Sequence, residues 1–209
     1  MYEVTFQGHA SGAEAFRITR DGDEHVVGVI HKPGGGPQSP FAAVVRYGPD
    51  GGFRTAINRM LNKKGTVDRY RLNDGRLESE RDGAVKTTAT EDGWVAAHPT
   101  YIDDFALLRR FQGVSVGERV TPPYYTFDTD FSWAWGRLPM ELVRLDDHTV
   151  THADGSQDVF RQYQQRLEIP GMGDFVRTTL IDQRGLPVRI TMKTSFGTIR
   201  AQLRGVDLP

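Results

Sequence analysis

The strongest constraint in this sequence is an alternation of apolar and polar residues with a period of two. Near the N-terminus, Tyr2, Val4 and Phe6 alternate with polar neighbours, and segments 188–193 and 198–204 repeat the pattern near the C-terminus. Successive side chains of a β-strand point to opposite faces, so this spacing predicts sheets with one apolar face.

Short glycine turns separate these runs. The dipeptide Asp-Gly, which tolerates the positive φ angles of tight hairpins, occurs six times: Asp21-Gly22, Asp50-Gly51, Asp74-Gly75, Asp82-Gly83, Asp92-Gly93 and Asp154-Gly155. Long helical crossovers are absent from the pattern, which argues against a parallel α/β sheet. We therefore expect a mainly β fold: one large antiparallel curved sheet or open barrel of about a dozen strands, forming a single domain over residues 1–209.

One segment departs from the alternation. Residues 99–112 carry apolar side chains at helical spacing, with Pro99 suited to the first turn and Gly113 suited to a left-handed cap. Acidic residues lie early in the segment and arginines late, which matches the helix dipole. The sequence predicts one amphipathic helix at about 99–112 that lies against the concave face of the sheet.

Composition excludes several classes of protein. The 209 residues contain no cysteine, which rules out disulfides, thiolate nucleophiles and cysteine-bound zinc. A net charge of −1 argues against nucleic acid as a partner. No apolar run is long enough for an integral membrane segment. The N-terminus lacks the features of a signal peptide, so we expect a soluble cytoplasmic protein, or an envelope protein if a leader has been removed.

The most distinctive pattern is a row of aromatic residues at alternate positions between 125 and 135. On one extended strand these five rings would share a face: Tyr125, Phe127, Phe131, Trp133 and Trp135. Such a row spans about 35 Å. It is compatible with a packed core face, but wide rings also line pockets for apolar ligands.

Two functions follow from these alternatives. The leading hypothesis is non-catalytic binding or carriage of a lipid-like or other apolar small molecule in a barrel cavity lined by the aromatic row. Tyr101, Phe105 and Leu108 on the helix would then act as a lid. The alternative is a structural or protein-interaction module with a solid core and no ligand. The sequence does not indicate the oligomeric state.

An enzyme is the third class, and no motif supports it. The string Gly113–Gly117 matches G-x-S-x-G, but it follows a helix instead of opening one. His148 and His152 lie about 13 Å apart on a strand, too far to share a metal ion. We predict no catalytic residue, no metal site and no cofactor. Three strand arginines offer one polar alternative, an anchor for an acidic head group: Arg161, Arg166 and Arg177.

The second half of the chain resembles known bacterial β-proteins. The resemblance rests on Phe160–Tyr163 and on Leu180–Ile190, which contains a D-x-x-G-x-P hairpin before a late strand. This arrangement is similar to the lipoprotein-carrier half-barrels and to uncharacterised envelope-associated β-proteins. The resemblance implies an incomplete barrel around an apolar cavity, with helices on the concave side. The chain departs from those families because it begins without an export leader.

Overall fold

The computed structural model describes residues 1–34, 39–62, 64–98, 100–127, 133–169 and 173–205. Seventeen strands and one helix, α1 (Asp104–Arg109), lie in these ranges. The strands are β1 Tyr2–Phe6, β2 His9–Asp21, β3 Glu24–Pro33, β4 Phe41–Tyr47, β5 Phe53–Met60, β6 Val67–Asn73, β7 Arg76–Arg81, β8 Ala84–Ala89, β9 Val95–Ala96, β10 Arg119–Val120, β11 Tyr124–Phe127, β12 Trp135–Leu138, β13 Met140–Thr151, β14 Gln157–Ile169, β15 Gly173–Ile181, β16 Pro187–Thr194 and β17 Gly197–Leu203.

Fourteen strands form one curved antiparallel sheet in the order β10-β13-β14-β15-β16-β17-β1-β2-β3-β4-β5-β6-β7-β8. The two ends of the chain meet in its middle, where Tyr2 pairs with Leu203. Strands β8 and β10 are its end strands, and within the described ranges they do not pair with each other, so the sheet is not closed. The mainly β prediction is confirmed, with more strands than the dozen expected.

A second, three-stranded sheet contains β12, β11 and β9 in that order. It carries the hairpin formed by β11 and β12, and β9 joins it in parallel through Val95 and Ala96. Helix α1 is much shorter than the predicted 99–112, because turns replace helix on both sides of Asp104–Arg109. Within the described ranges, no helix has the length and apolar character needed to cross a bilayer.

Residues 104–108 of α1 are all buried, which explains why the helix differs from an amphipathic surface helix. Phe105 and Ala106 belong to the largest hydrophobic cluster, together with rings from β4, β5, β6, β11 and β12. Leu107 and Leu108 belong to a second cluster with Leu142 and other residues. We call residues 100–113 the plug segment, because the segment separates these two clusters inside the curved sheet.

The β4–β5 turn touches the plug segment through a glycine. Gly51 has a φ of 85°, and a Cβ placed on it would lie 2.1 Å from the carbonyl oxygen of Ala106. A side chain at this position is therefore excluded both by the backbone conformation and by the neighbouring helix. Gly22 lies in a comparable Asp-Gly turn with a φ of 63°, but a Cβ there would meet nothing within 4 Å.

Gly51→Ala is expected to destabilise the protein more than Gly22→Ala. The second substitution costs only the strain of a left-handed alanine, about 1–2 kcal/mol. The first adds the collision with Ala106 and should displace the plug segment. Urea denaturation of the two variants measures the difference, and equal free energies of unfolding would contradict the contact between this turn and α1.

Candidate functional site

The predicted aromatic row is a hairpin instead of one strand. Strands β11 and β12 pair in antiparallel register, with Phe127 directly opposite Trp135. The prediction of a single extended ribbon is therefore wrong, because the chain reverses between these two positions. A ribbon of this length would extend about 35 Å, whereas the hairpin brings the rings of Phe127 and Trp135 to 4.7 Å between centroids. Phe131 lies outside the described residues.

Three rings of the row do share an inward face. Tyr125 and Phe127 are 2% exposed and Trp135 is 5% exposed. Phe127 stacks on Tyr70 with ring centroids 3.8 Å apart, and Trp135 meets the edge of Phe53 at 4.9 Å. The indole nitrogen of Trp135 donates to the carbonyl oxygen of Glu78 at 3.2 Å. These rings pack against one another and fill the interior.

Trp133 occupies a different environment. Its φ angle is 44°, a left-handed conformation, and its side chain is only partly buried. The ammonium group of Lys86 on β8 lies 4.1 Å from the ring centroid, and the guanidinium of Arg81 lies 5.5 Å away. Trp133 therefore packs on the β7–β8 hairpin through cation–π contacts instead of joining the inward face.

The predicted lid residues are interior residues. Tyr101 precedes α1 and contacts the rings of Tyr2 and His31 at 6.3 and 5.9 Å. Phe105 is 5% exposed and Leu108 is 2% exposed, and they belong to different clusters. Phe105 and Leu108 are thus interior residues and Tyr101 is partly buried, and a lid role for the three stays a prediction. Whether any of these residues contacts a ligand stays a prediction.

A network of buried polar groups holds the plug segment, beginning with Glu14 on β2. Glu14 is 0% exposed, and its carboxylate accepts the backbone N–H groups of Tyr101 at 3.1 Å and Ile102 at 2.9 Å. The same carboxylate lies 3.1 Å from Nδ1 of His31 on β3. Buried backbone donors outside a sheet need such partners, since an unpaired one costs about 1–3 kcal/mol.

Asp103 forms the second part of this network. Its carboxylate accepts the hydroxyl groups of Tyr47 and Thr100. Nδ1 of His98 lies 3.4 Å from the same carboxylate, and Nε2 of His98 lies 2.7 Å from the side-chain oxygen of Asn58. Burial, together with the charge of Asp103, raises the pKa of Tyr47 well above its usual value, so this hydroxyl stays a donor.

Asp104 completes the network on the opposite side of the interior. The hydroxyl of Thr179 donates to it at 2.6 Å, and the guanidinium of Arg177 lies 3.0 Å away. Burial raises the pKa of Asp104, and the charge of Arg177 opposes that shift. Arg177 is therefore committed to a carboxylate of the plug segment, and Arg166 is committed to Asp174 on the surface. We call this whole set of contacts the polar clamp.

The polar clamp positions the plug segment instead of a substrate. It connects the segment directly to β2, β4 and β15, and through Glu14 and His98 to β3 and β5. His98 at its centre is 1% exposed. The described residues contain no group of three or more histidine and carboxylate side chains that could hold a metal ion. Sequence reasoning missed Glu14, His31 and His98. The pair Asp103-Asp104 within an apolar segment was a usable signal, because buried carboxylates require polar partners from other elements.

The outward face of the sheet carries exposed aliphatic side chains. Three aliphatic side chains there are about half exposed: Ile30 at 46%, Val44 at 47% and Ile57 at 50%. Val44 lies directly opposite Ile57, and Ile30 lies opposite Ala42, two residues from Val44 on the same strand. Directly opposed and diagonal side chains of a sheet are in reach of each other. The three residues therefore form one patch, which we call the outer apolar face.

Cations surround the outer apolar face. Arg17 lies opposite Gly28, Arg59 opposite Ala42 and Lys32 opposite Ala13, and all three are exposed. None of the three forms an ion pair with a described residue. Strands β4 and β5 contain no Asp or Glu, and the only carboxylate of β3, Glu24, pairs with Arg46. The face is thus apolar at its centre and positively charged around it.

Comparisons with known proteins describe the fold alone. No protein-family model matches this sequence, and no curated protein matches it. Among solved structures, a beta-barrel-like protein of domain of unknown function DUF1849 from Brucella abortus matches with a TM-score of 0.61 and 13% identity, covering 100% of this chain and 95% of that one. A DUF1089 family protein from Pseudomonas aeruginosa matches with a TM-score of 0.56 and 19% identity, over 88% and 90% of the two chains.

The fold is β-barrel-like. The neighbour from Brucella abortus is described as β-barrel-like, which agrees with the general part of the sequence resemblance. The more specific likeness to lipoprotein carriers finds no counterpart among these matches. Function has to be argued from the residues of this chain.

Replacing Trp135 should cost far more stability than replacing Trp133. Trp135→Ala removes a ring that contacts Phe53, Tyr70 and Phe127, and a buried Trp→Ala change costs about 3–5 kcal/mol. Trp133→Ala removes mainly cation–π contacts at a partly exposed site, about 0.5–1 kcal/mol. Chemical denaturation of both variants measures this. A small loss for Trp135→Ala would show that the interior is loosely packed.

Weakening the polar clamp should loosen the plug segment before the sheet. Glu14→Gln replaces one of the two oxygens that accept Tyr101 and Ile102, and we expect hydrogen exchange at those amides to accelerate about 10–100-fold, equivalent to about 1–3 kcal/mol. Asp21→Asn on the same strand is the control, since Asp21 is exposed and, among the described residues, forms an ion pair with Arg46 alone. Equal protection of residues 100–113 in both variants would exclude the clamp as the tether.

Proposed function

We propose that this protein is a non-catalytic interaction module that binds an acidic protein surface through the outer apolar face. The observation that carries the proposal is the combination of Ile30, Val44 and Ile57, each about half exposed, with cations that have no carboxylate partner among the described residues. Contiguous exposed apolar side chains with a polar rim are typical of interaction sites.

The interior supports this choice over carriage of a lipid. The space enclosed by the curved sheet is occupied by the rings of β11 and β12 and by the plug segment. A lipid would have to displace the plug segment, which the polar clamp connects directly to β2, β4 and β15. An interior packed in this way supports a binding surface on the outside of the sheet. Carriage of an apolar molecule stays a prediction, and organic extraction followed by mass spectrometry tests it.

Charge indicates the nature of the partner. Arg17, Lys32 and Arg59 would each gain a carboxylate partner from an acidic surface, while the aliphatic centre would be buried against apolar side chains. A second copy of this chain is a poor occupant of the same face, because an isologous contact would bring these cations toward one another. Electrostatic complementarity of this kind accelerates association and excludes partners of like charge.

The composition of the face favours a protein over a membrane, because none of its three defining side chains is aromatic. Ile30, Val44 and Ile57 lie on neighbouring strands in the interior of the sheet, so each rises only one side chain above the backbone. Membrane-bound segments bury their apolar side about 5–10 Å into the bilayer boundary, and aromatic residues usually anchor them. Contact with a protein surface, in contrast, requires neither such insertion nor an aromatic anchor.

The proposal is tested with a synthetic peptide that alternates glutamate with leucine, and with a matched peptide that carries lysine for glutamate. We expect the acidic peptide to bind, to bind more weakly as salt increases, and to lose at least about tenfold in affinity with Arg17→Glu/Arg59→Glu, equivalent to about 1.4 kcal/mol. Isothermal titration calorimetry measures the affinity. Val44→Asp should weaken binding in the same assay because it removes the apolar centre.

A matched double variant controls for overall charge. Arg76→Glu/Lys193→Glu changes the net charge equally at two exposed positions away from the face, and its affinity should equal that of the wild type. Equal losses in the two double variants would show a nonspecific charge effect and defeat the proposal. Binding of anionic vesicles, but not of the acidic peptide, would assign the face to a membrane instead.

A further inference from the structure

A second feature, separate from the outer apolar face, is a pocket of about 230 Å³ at one end of the barrel. It lies between the end of α1, strand β14 and the turn that joins β15 to β16. Six of its lining residues carry polar groups: Arg109, Gln112, Arg161, Tyr163, Gln183 and Arg184. None of its lining residues is acidic, so the pocket wall is positively charged.

One of the three arginines is neutralised. Arg184 bonds to Asp182 through Nε at 2.9 Å, and its side chain is 73% exposed. Arg109 and Arg161 form no ion pair with any described residue. Because burying a charge without a partner is costly, a pocket with two such guanidinium groups has unused capacity for an anion.

The surroundings of Arg109 also favour an anion site in this pocket. Its Nε is buried and has no hydrogen-bond partner, and its guanidinium carbon lies 5.5 Å from the ring centroid of Phe105. The ring of His25 meets the edge of the same Phe105 ring at 5.3 Å. Burial, with the charges of Arg109 and Arg20, lowers the pKa of His25, which agrees with an uncompensated positive region.

Arg161 approaches the pocket from the sheet. It lies directly opposite Ile181, which is 3% exposed, and two residues from Tyr163, which is 1% exposed. Both neighbours are inward-facing residues of the second hydrophobic cluster, so Arg161 shares their face of β14. Arg109 and Arg161 therefore reach one pocket from two different elements.

We propose that this pocket binds a single carboxylate or phosphate group, held by the guanidinium groups of Arg109 and Arg161. Arginine presents parallel N–H donors that match the two oxygens of such anions, and Gln112 and Gln183 supply further amide donors. The volume is below the roughly 300 Å³ at which sites for drug-sized ligands begin, so the pocket accepts a small anion or the anionic head of a longer molecule.

The site is tested with two soluble probes, inorganic phosphate and dodecyl phosphate below its critical micelle concentration. Isothermal titration calorimetry on the full chain should show binding of phosphate, reduced about 10-fold or more by Arg161→Gln. Arg161→Lys should recover only part of the affinity, because lysine keeps the charge but lacks the paired donors. Arg109→Gln should cause a comparable loss, and the melting temperature of each variant shows that it is folded.

Arg76→Gln is the control, because Arg76 is an exposed arginine on β7 that does not line this pocket. Its affinity should stay within about threefold of the wild type. Tighter binding of dodecyl phosphate than of phosphate would assign the pocket to an amphiphile. Equal affinities for the two probes would assign it to a free anion, and both results support the site. No binding of either probe at millimolar concentration, or equal binding by the wild type and Arg161→Gln, overturns it.

This site and the proposed function are tested independently. Arg17→Glu/Arg59→Glu should leave phosphate binding unchanged, since both residues lie on the outward face of β2–β5. Arg161→Gln should in turn leave binding of the acidic peptide unchanged. If one variant abolished both activities, neither surface would be a separate site.

Discussion

The fold depends on the buried carboxylate of Glu14. The plug segment lies inside the sheet without pairing with any strand, so its backbone N–H groups need partners that the sheet does not supply. Glu14 accepts two of them, at Tyr101 and Ile102, and places α1 between the two hydrophobic clusters. Without this contact the interior would contain either unpaired donors or a void.

The concave side of the sheet is occupied by side chains of the protein itself. In an open barrel the concave side is the usual place for an apolar ligand, and here α1 and the hairpin of β11 and β12 take that place. The aromatic rings that the sequence pattern assigns to a ligand pack against other rings of the protein, as the stacking of Phe127 on Tyr70 shows. Their contact with a ligand stays a prediction. Among the described residues, cations that form no ion pair lie around the outer apolar face and in the arginine pocket.

The fold class was predictable from the sequence because it depends on local patterns. Alternation and Asp-Gly turns act over a few residues, and they identified the antiparallel sheet. The helix was overestimated because propensity extends over residues 99–112, whereas tertiary contacts use Asp103 as an acceptor for Tyr47 and leave helix only at Asp104–Arg109. The aromatic row failed for a related reason: a period of two is the same in one strand and in a hairpin whose rings face one way.

The candidate sites were harder to predict, because they depend on which charges find partners. Arg161, Arg166 and Arg177 look alike in the sequence, as three arginines on late strands. In the fold, Arg177 meets Asp104 and Arg166 meets Asp174, while Arg161 meets no carboxylate within the described ranges. Partners such as Asp104 come from residues far away along the chain. A positively charged pocket is therefore a property of the tertiary structure, and an arginine is free to bind a ligand only where folding has left it unpaired.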